Sequence, residues 1–212
     1  MTGFFVTATG TDIGKTYITA GLVKAMRAKA IKPVVSGFDG AQPHAGDAAA
    51  LLEAMGEAPT LENIARIAPW RFAAPLSPDM AAAREGRAID LAELATFTRQ
   101  NVKDGLVFVE GVGGVMVPLT DKHTTLDWMA EVQLPLILVT GSYLGTLSHT
   151  LTAGDVAQRR GLKIALVVVN ESAESPVPLA ETCDVIARHT GLPCVTLARG
   201  ASDFSQIAAK LA

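Results

Sequence analysis

Short apolar runs alternate with longer amphipathic segments from one end of this chain to the other, and that alternation restricts the fold more than any other feature. The runs Phe4–Thr7, Lys32–Ser36, Leu106–Val109, Leu134–Thr140, Ile164–Val169 and Cys194–Leu197 read as strands. Leu134-Pro135-Leu136-Ile137-Leu138-Val139 shows no polar alternation, as expected of a strand covered on both faces of a parallel sheet. Helical spacing falls at 14–29, 47–55, 90–103, 124–131, 145–160, 178–190 and 202–211. Asp90-Leu91-Ala92-Glu93 has the form of an N-cap box, and Gly161 and Gly191 stand where helix C-caps belong. The stretch 56–89, with Pro59, Pro69, Pro75 and Pro78, reads as an extended surface excursion. Strand–helix alternation over 212 residues predicts an α/β fold in a single domain, with a doubly wound, mostly parallel sheet and right-handed crossovers. In such a sheet the ligand gathers beyond the C-terminal ends of the strands.

The polar and glycine-rich residues fall at those ends: Gly10–Thr16, Ser36–Gly37, Glu110–Gly114, Gly141–Gly145 and Asn170–Glu171. The first group is the most telling. Ala8-Thr9-Gly10-Thr11-Asp12-Ile13-Gly14-Lys15-Thr16 follows the strand at Phe4-Phe5-Val6 and opens the helix that begins near Tyr17. Backbone N–H groups and the positive end of a helix dipole there face an anion. Lys15 reaches terminal phosphates, and the Thr16 hydroxyl is placed for Mg²⁺. The usual spacing G-x-x-x-x-G-K-[ST] is not met, because Thr9 holds the place of the first glycine.

Composition excludes several classes. A net charge of −3 and a pI near 5.8 give no electrostatic case for nucleic acid or an anionic membrane. No apolar stretch reaches the roughly 18 residues of a membrane span, and Met1-Thr2-Gly3-Phe4 enters a strand at once, without the pattern of a signal peptide. Cys183 and Cys194 are too few for a disulfide framework, lack metal-ligand spacing, and read as small buried hydrophobes. The expectation is a soluble, cytoplasmic protein.

Three further positions carry chemistry if the loop binds phosphate. Glu110 ends an apolar strand beside the loop, where a hard carboxylate oxygen suits Mg²⁺, and Gly111, Gly113 and Gly114 let backbone approach a ligand. Lys32-Pro33-Val34-Val35-Ser36-Gly37 offers a cation and a hydroxyl, although Lys32 alone reads as a surface charge and Ser36 as a turn residue. Asp47 alone reads as a helix N-cap. Trp70 and Trp128 read as packing residues, His44 as a loop histidine and His189 as a charge near a helix end.

Together, Thr9–Thr16, Lys32-Pro33-Val34 with Ser36-Gly37, Gly46-Asp47-Ala48, Pro75 with Ser77-Pro78, Glu110-Gly111 with Gly113-Gly114, and Pro118-Leu119 resemble the dethiobiotin synthetases. Pro135, Ile137-Leu138-Val139, Leu144-Gly145, His149 and Leu151-Thr152 extend the likeness over essentially the whole chain, 1–212. The resemblance implies a P-loop NTPase fold acting as one ATP-binding synthetase domain. It also implies an ATP- and Mg²⁺-dependent ligase of biotin biosynthesis, working as a homodimer with its active site near the subunit interface. That family closes the ureido ring of dethiobiotin from 7,8-diaminopelargonate and CO₂, through a carbamate and a carbamic-phosphoric mixed anhydride. On this reading Thr11, Asp12, Ile13, Gly14, Lys15, Thr16 and Tyr17 cradle the nucleotide, and Thr16, Asp47 and Glu110 hold the metal. Lys15 and Lys32 clamp the γ-phosphate and carbamate, Ser36 hydrogen-bonds the carbamate, and Asp12 orients the diamine. Gly111, Gly113 and Gly114 approach the ligands, and Gly113 and Ser148 contact the substrate, Ser148 through its carboxylate across the dimer. Asn170 reads adenine through the donor–acceptor pair of its amide, with Glu171, Leu197, Ala198 and Arg199 completing that pocket.

The chain departs from the family pattern at Ala8, Gly10, Asp12, Asp79 and Ser148, where glycine, an acid, glutamate, histidine and asparagine are usual. Gly10 is expected to compensate for Ala8 by supplying a positive φ one step later. The rival readings are weaker. A ParA/MinD-type ATPase switch carries a second lysine early in its phosphate loop, and Ala8 to Ile13 hold none; Ser202–Ala212 carries only Lys210, so it is no basic membrane helix. A cobyrinate-type amidotransferase ligase continues into a glutaminase domain, and a simple small-molecule kinase has no need of Lys32 with Ser36.

Overall fold

The computed structural model describes residues 2–212. In chain order its elements are β1 (Thr2–Ala8), α1 (Lys15–Met26), β2 (Lys29–Ile31), β3 (Val34–Ser36), α2 (Asp47–Ala54), α3 (Leu61–Ile67), β4 (Trp70–Phe72), α4 (Pro78–Arg84), α5 (Leu91–Asn101), β5 (Leu106–Glu110), α6 (Thr125–Val132), β6 (Leu136–Thr140), α7 (Thr146–Arg159), β7 (Ile164–Asn170), α8 (Leu179–Thr190), β8 (Cys194–Leu197) and α9 (Ser205–Leu211). Six strands form one sheet in the order β2-β5-β1-β6-β7-β8, with every pairing parallel. The predicted doubly wound α/β sheet is therefore the observed one.

Its centre is the most apolar part of the chain. All five residues of β6 are buried, as are Phe5 and Val6 of β1 and Val107 to Glu110 of β5. Phe5 meets the Trp128 ring edge-on with centroids 4.7 Å apart, and the Trp128 indole N–H donates to Thr98 Oγ1 at 3.1 Å. That pairing satisfies the single polar atom of a large buried ring. Trp70 packs edge-on against Phe97, so both tryptophans are packing residues. α5 is capped by Asp90, whose carboxylate accepts from the Glu93 N–H, and α8 ends on Gly191 at φ 69°.

Three expectations fail. The strand placed at Lys32–Ser36 is two strands: β2 lies earlier and joins the main sheet, while β3 pairs with β4 in a separate two-stranded sheet. Pro33 lacks an N–H and cannot continue the ladder of β2, and its carbonyl instead accepts from Trp70 N–H at 3.0 Å. The stretch 56–89 is not an extended excursion. It holds α3, β4 and α4, and buries Ile64, Ile67, Phe72, Ala81 and Ala82. Its prolines punctuate these elements, Pro69 just before β4 and Pro78 in the first turn of α4, where a missing N–H is harmless. Finally, Cys183 and Cys194 are half-buried free thiols rather than core residues, and burial pushes both thiol pKa values up.

Candidate functional site

The apolar β1 delivers the chain to the open end of the sheet, where the phosphate loop begins. Thr9 N–H donates to Val139 O at 3.0 Å, and Val115 N–H donates to Ala8 O at 3.0 Å, so the start of the loop is tied to the end of β6 on one side and to the segment that follows β5 on the other. Gly14 turns it into α1 with φ 97°. A side chain there would also bring Cβ within 2.4 Å of Asn170 Nδ2, so only glycine fits. The other left-handed residue of the loop is Asp12 at φ 56°, a conformation that aspartate tolerates. Gly10 is not left-handed, so the expected compensation for Ala8 at Gly10 does not occur. What Gly10 supplies is close packing, because Gly114 approaches it closely: a Cβ on Gly114 would lie 3.3 Å from Gly10 N.

Lys15 opens α1 and folds back over the loop, its ammonium 3.3 Å from Gly10 O. It is only 7% exposed. Burial, followed by the charge of Lys32, lowers its pKa to about 8. Lys32, 3% exposed, lies in the connection between β2 and β3, and its ammonium reaches Glu110 Oε1 at 2.5 Å, Asp47 Oδ2 at 2.8 Å and Gly111 O at 3.2 Å. Those three contacts use all three of its protons. Burial alone would lower the Lys32 pKa, but the charges of Glu110 and Asp47 hold it above the usual lysine value. Asp47 opens α2; burial favours its neutral form, yet Lys32 overrules this and keeps the carboxyl below its ordinary range. Thr16 Oγ1 donates to Glu110 Oε1 at 2.6 Å. Glu110 is fully buried, and among the described residues its second oxygen, Oε2, has no partner, nor does the shielded Ser36 Oγ. Buried polar atoms seldom remain unpaired unless a ligand completes them.

These groups line or floor a cleft of about 720 Å³, whose other wall carries Pro75, Leu76, Pro78, Val112 and Val117. On the far side of the loop, Asn170 Nδ2 donates to Ile13 O at 2.9 Å while its Oδ1 has no partner. Glu171 N–H donates to Leu197 O at 2.9 Å, and Glu171 Oε2 accepts from Arg199 N–H at 2.9 Å. This draws Leu197, Ala198 and Arg199 into one short segment beside Asn170.

A family model described as an AAA domain matches residues 2–197. The ATP-dependent dethiobiotin synthetase of Acidiphilium cryptum is 46% identical over 90% of this chain and 89% of its own length. That of Methylobacterium nodulans is 44% identical over 94% of each. The chain belongs to the dethiobiotin synthetase family. Among solved structures, a ParA family ATPase from Chlorobium tepidum superposes with a TM-score of 0.54 at 14% identity, covering 99% of this chain and 87% of that one. The septum site-determining protein MinD of Pyrococcus horikoshii, complexed with Mg-ADP, gives 0.52 at 17% identity over 99% and 85%. At those identities the ParA and MinD likeness is one of fold alone.

In this family member the structure gathers Thr11, Asp12, Gly14, Lys15, Thr16, Tyr17, Lys32, Ser36, Asp47 and Gly113 around one cleft, with Glu110 and Gly111 reached through Lys32. Ile13 and Gly114 support the loop from behind. Ser148 is not brought in: it lies exposed on α7, outside the cleft. Asn170 lies behind the loop, where one of its two amide protons goes to Ile13 O and its Oδ1 has no partner among the described residues. The apolar wall of Leu76, Val112 and Val117 was absent from the expected site. The Pro75-Leu76-Ser77-Pro78 motif pointed to it, but only the folded 56–89 segment brings it opposite Lys15.

Proposed function

We propose that this protein is an ATP-dependent dethiobiotin synthetase that closes the ureido ring from 7,8-diaminopelargonate and CO₂, releasing ADP and phosphate. The observation that carries the reading is the buried Lys32–Glu110–Thr16 cluster, with Glu110 Oε2 and Ser36 Oγ unsatisfied at the floor of a phosphate-loop cleft. One substrate amine captures CO₂ as a carbamate. A carbamate oxygen attacks the γ-phosphorus and ADP leaves; the second amine then attacks the carbonyl carbon of the mixed anhydride and expels phosphate. Such transfers depend mainly on positioning and charge neutralisation. Lys15 and the backbone N–H groups at the start of α1 hold the phosphates. Ser36 donates its free hydroxyl to the carbamate, and Asp12 orients the diamine. Lys32 turns towards the carbamate by releasing Asp47, the half-exposed member of its three contacts.

The donor set also fits Mg²⁺: a hydroxyl at Thr16 and carboxylates at Glu110 and Asp47 are hard oxygens, and one or two carboxylates plus phosphate oxygens are its usual complement. When bound, the ion supplies positive charge to the phosphate oxygens. At the base end, the open acceptor of Asn170 suits an amino-bearing base, with Glu171 and Leu197 to Arg199 beside it. The protein acts as one synthetase domain in a cytoplasmic homodimer, where Ser148, close to exposed Leu144 and Leu147, meets the substrate carboxylate of the other subunit. The test is ADP formation with and without diaminopelargonate plus bicarbonate, with dethiobiotin detected by mass. Diamine-stimulated ADP release with that product is expected, and ATP turnover indifferent to the diamine would overturn the reading.

A further inference from the structure

Behind the phosphate loop lies a cluster of threonines that the chemistry above leaves unused. Thr9, the residue in place of the usual first glycine, has its hydroxyl 3.1 Å from Thr140 Oγ1 at the end of β6. Thr140 is fully buried and also lies 2.9 Å from Thr146 Oγ1 and 2.7 Å from Thr150 Oγ1, both in α7. Counting protons fixes the direction of these bonds. Thr146 donates its hydroxyl proton to Gly141 O at 2.7 Å, and Thr150 donates its own to Thr146 O at 2.7 Å. Each hydroxyl has one proton, so neither has one left for Thr140. Thr140 therefore gives its one proton to either Thr146 or Thr150 of α7, the other contact carrying none, and the proton between Thr9 and Thr140 comes from Thr9.

We propose that Thr140 is a positioning residue for the nucleotide. It accepts from Thr9 in one fixed orientation and so holds the first turn of the phosphate loop against the start of α7. The loop is gripped on its other side by Val115 N–H on Ala8 O and by the close approach of Gly114. Without the Thr9–Thr140 bond, the Thr9 N–H to Val139 O is the one hydrogen bond among the described residues that would tie Thr9 to β6. Thr140 does not line the cleft, so its effect on ATP passes through Thr9.

The test is the affinity of the full-length protein for MgADP by calorimetry, at a temperature where every variant is folded, in Thr140→Val, Thr140→Ser, Thr9→Val, Thr9→Val with Thr140→Val, and Thr150→Val. Thr140→Val and Thr9→Val should each weaken binding about five- to thirtyfold, the range for one lost buried hydrogen bond. The double variant should be no weaker than the worse single one, and Thr140→Ser should stay within about twofold of the parent. Thr150→Val loses stability but keeps affinity, because Thr140 can then donate to Thr146. Parental affinity in Thr140→Val overturns the proposal, as does multiplication of the two single effects or an equal loss in Thr150→Val. If Thr140→Val does not fold, Thr9→Val with Thr140→Ser decides the same point. The activity readout rests on the proposed reaction: in Thr140→Val the KM for ATP should rise while that for the diamine stays. If the parent forms no dethiobiotin that reaction fails, yet the affinities still decide the role of Thr140.

Discussion

At the phosphate end of the cleft, ionised groups lie inside the fold: Lys15 and Lys32 are 7% and 3% exposed, and Glu110 is 0% exposed. Behind the loop, at the proposed base end, Asn170 and Glu171 are half-buried, Ala198 and Arg199 are exposed, and the contacts are ordinary backbone and amide hydrogen bonds. Charges out of water interact strongly and are costly to leave alone, whereas neutral bonds near water contribute little each. The phosphate end should therefore couple catalysis to stability, and the base end should tune binding alone. Within the phosphate end the two lysines also differ. Among the described residues Lys15 has no carboxylate in hydrogen-bond contact, and its burial disfavours its charge, while Lys32 neutralises a buried glutamate.

The largest expected effect separates those two. Lys15→Ala should lower ring closure by about 10³-fold, as loss of a preorganised cation facing developing charge does, while the melting temperature stays level or rises. A clear drop in melting temperature would show that the lysines are equivalent. Lys32→Ala should also abolish product, and in addition cost about 3–5 kcal/mol of stability, because Glu110 is then a buried charge without a cation in contact among the described residues, kept only by the Thr16 hydroxyl. Urea unfolding measures this, and an unchanged midpoint would break the contrast. At the base end, Asn170→Ala should raise the KM for ATP about tenfold with little change in kcat; a kcat loss comparable to that of Lys15→Ala would erase the distinction between the two ends.

The smallest effect is in protons. With a Lys15 pKa of about 8 in the free protein, nucleotide phosphates should drive its full protonation, taking up about half a proton per site at pH 8. Calorimetry in buffers of different ionisation enthalpy checks this, and equal heats would contradict it. The same shift sets a sign for stability. Between pH 8 and the ordinary 10.5 the unfolded chain binds more protons at Lys15, so this group's contribution rises with pH across that window. Lys32, with its pKa raised, contributes fully below 10.5 and loses that contribution as pH climbs through its higher folded value. Asp47, with its pKa lowered, stabilises above 3.8 and stops doing so as pH falls through its folded value.

Much of the fold was readable because its signals are local. β8 matches its predicted span, β5, β6 and β7 differ from theirs by one or two residues at one end, and β1 by two at its start and one at its end, since continuous apolar runs mark buried parallel strands. The segments that misled are those where short elements pair far away in sequence. β3 and β4 are three residues each and exist as strands only because they pair with one another, and Pro33 moved the boundary that Lys32–Ser36 had suggested. In the site, Gly14-Lys15-Thr16 announced phosphate binding by spacing alone. The left-handed turn, expected at Gly10, falls at Asp12 and Gly14, because the loop must pack on Gly114 and clear Asn170.

The sequence by itself determined the parallel sheet, the phosphate loop at its open end and, through several motifs in register, the family. These rest on hydrophobic periodicity and fixed spacings, which act over a few residues and need no partner from elsewhere. Tertiary structure decided the electrostatics. Lys32 alone reads as a surface charge and Asp47 alone as a helix cap, and only folding sets them beside Glu110, with Lys32 and Glu110 themselves shielded from water. That juxtaposition makes one lysine a support of the fold and leaves the other poised near neutrality, a difference that depends on distance and burial rather than on residue type.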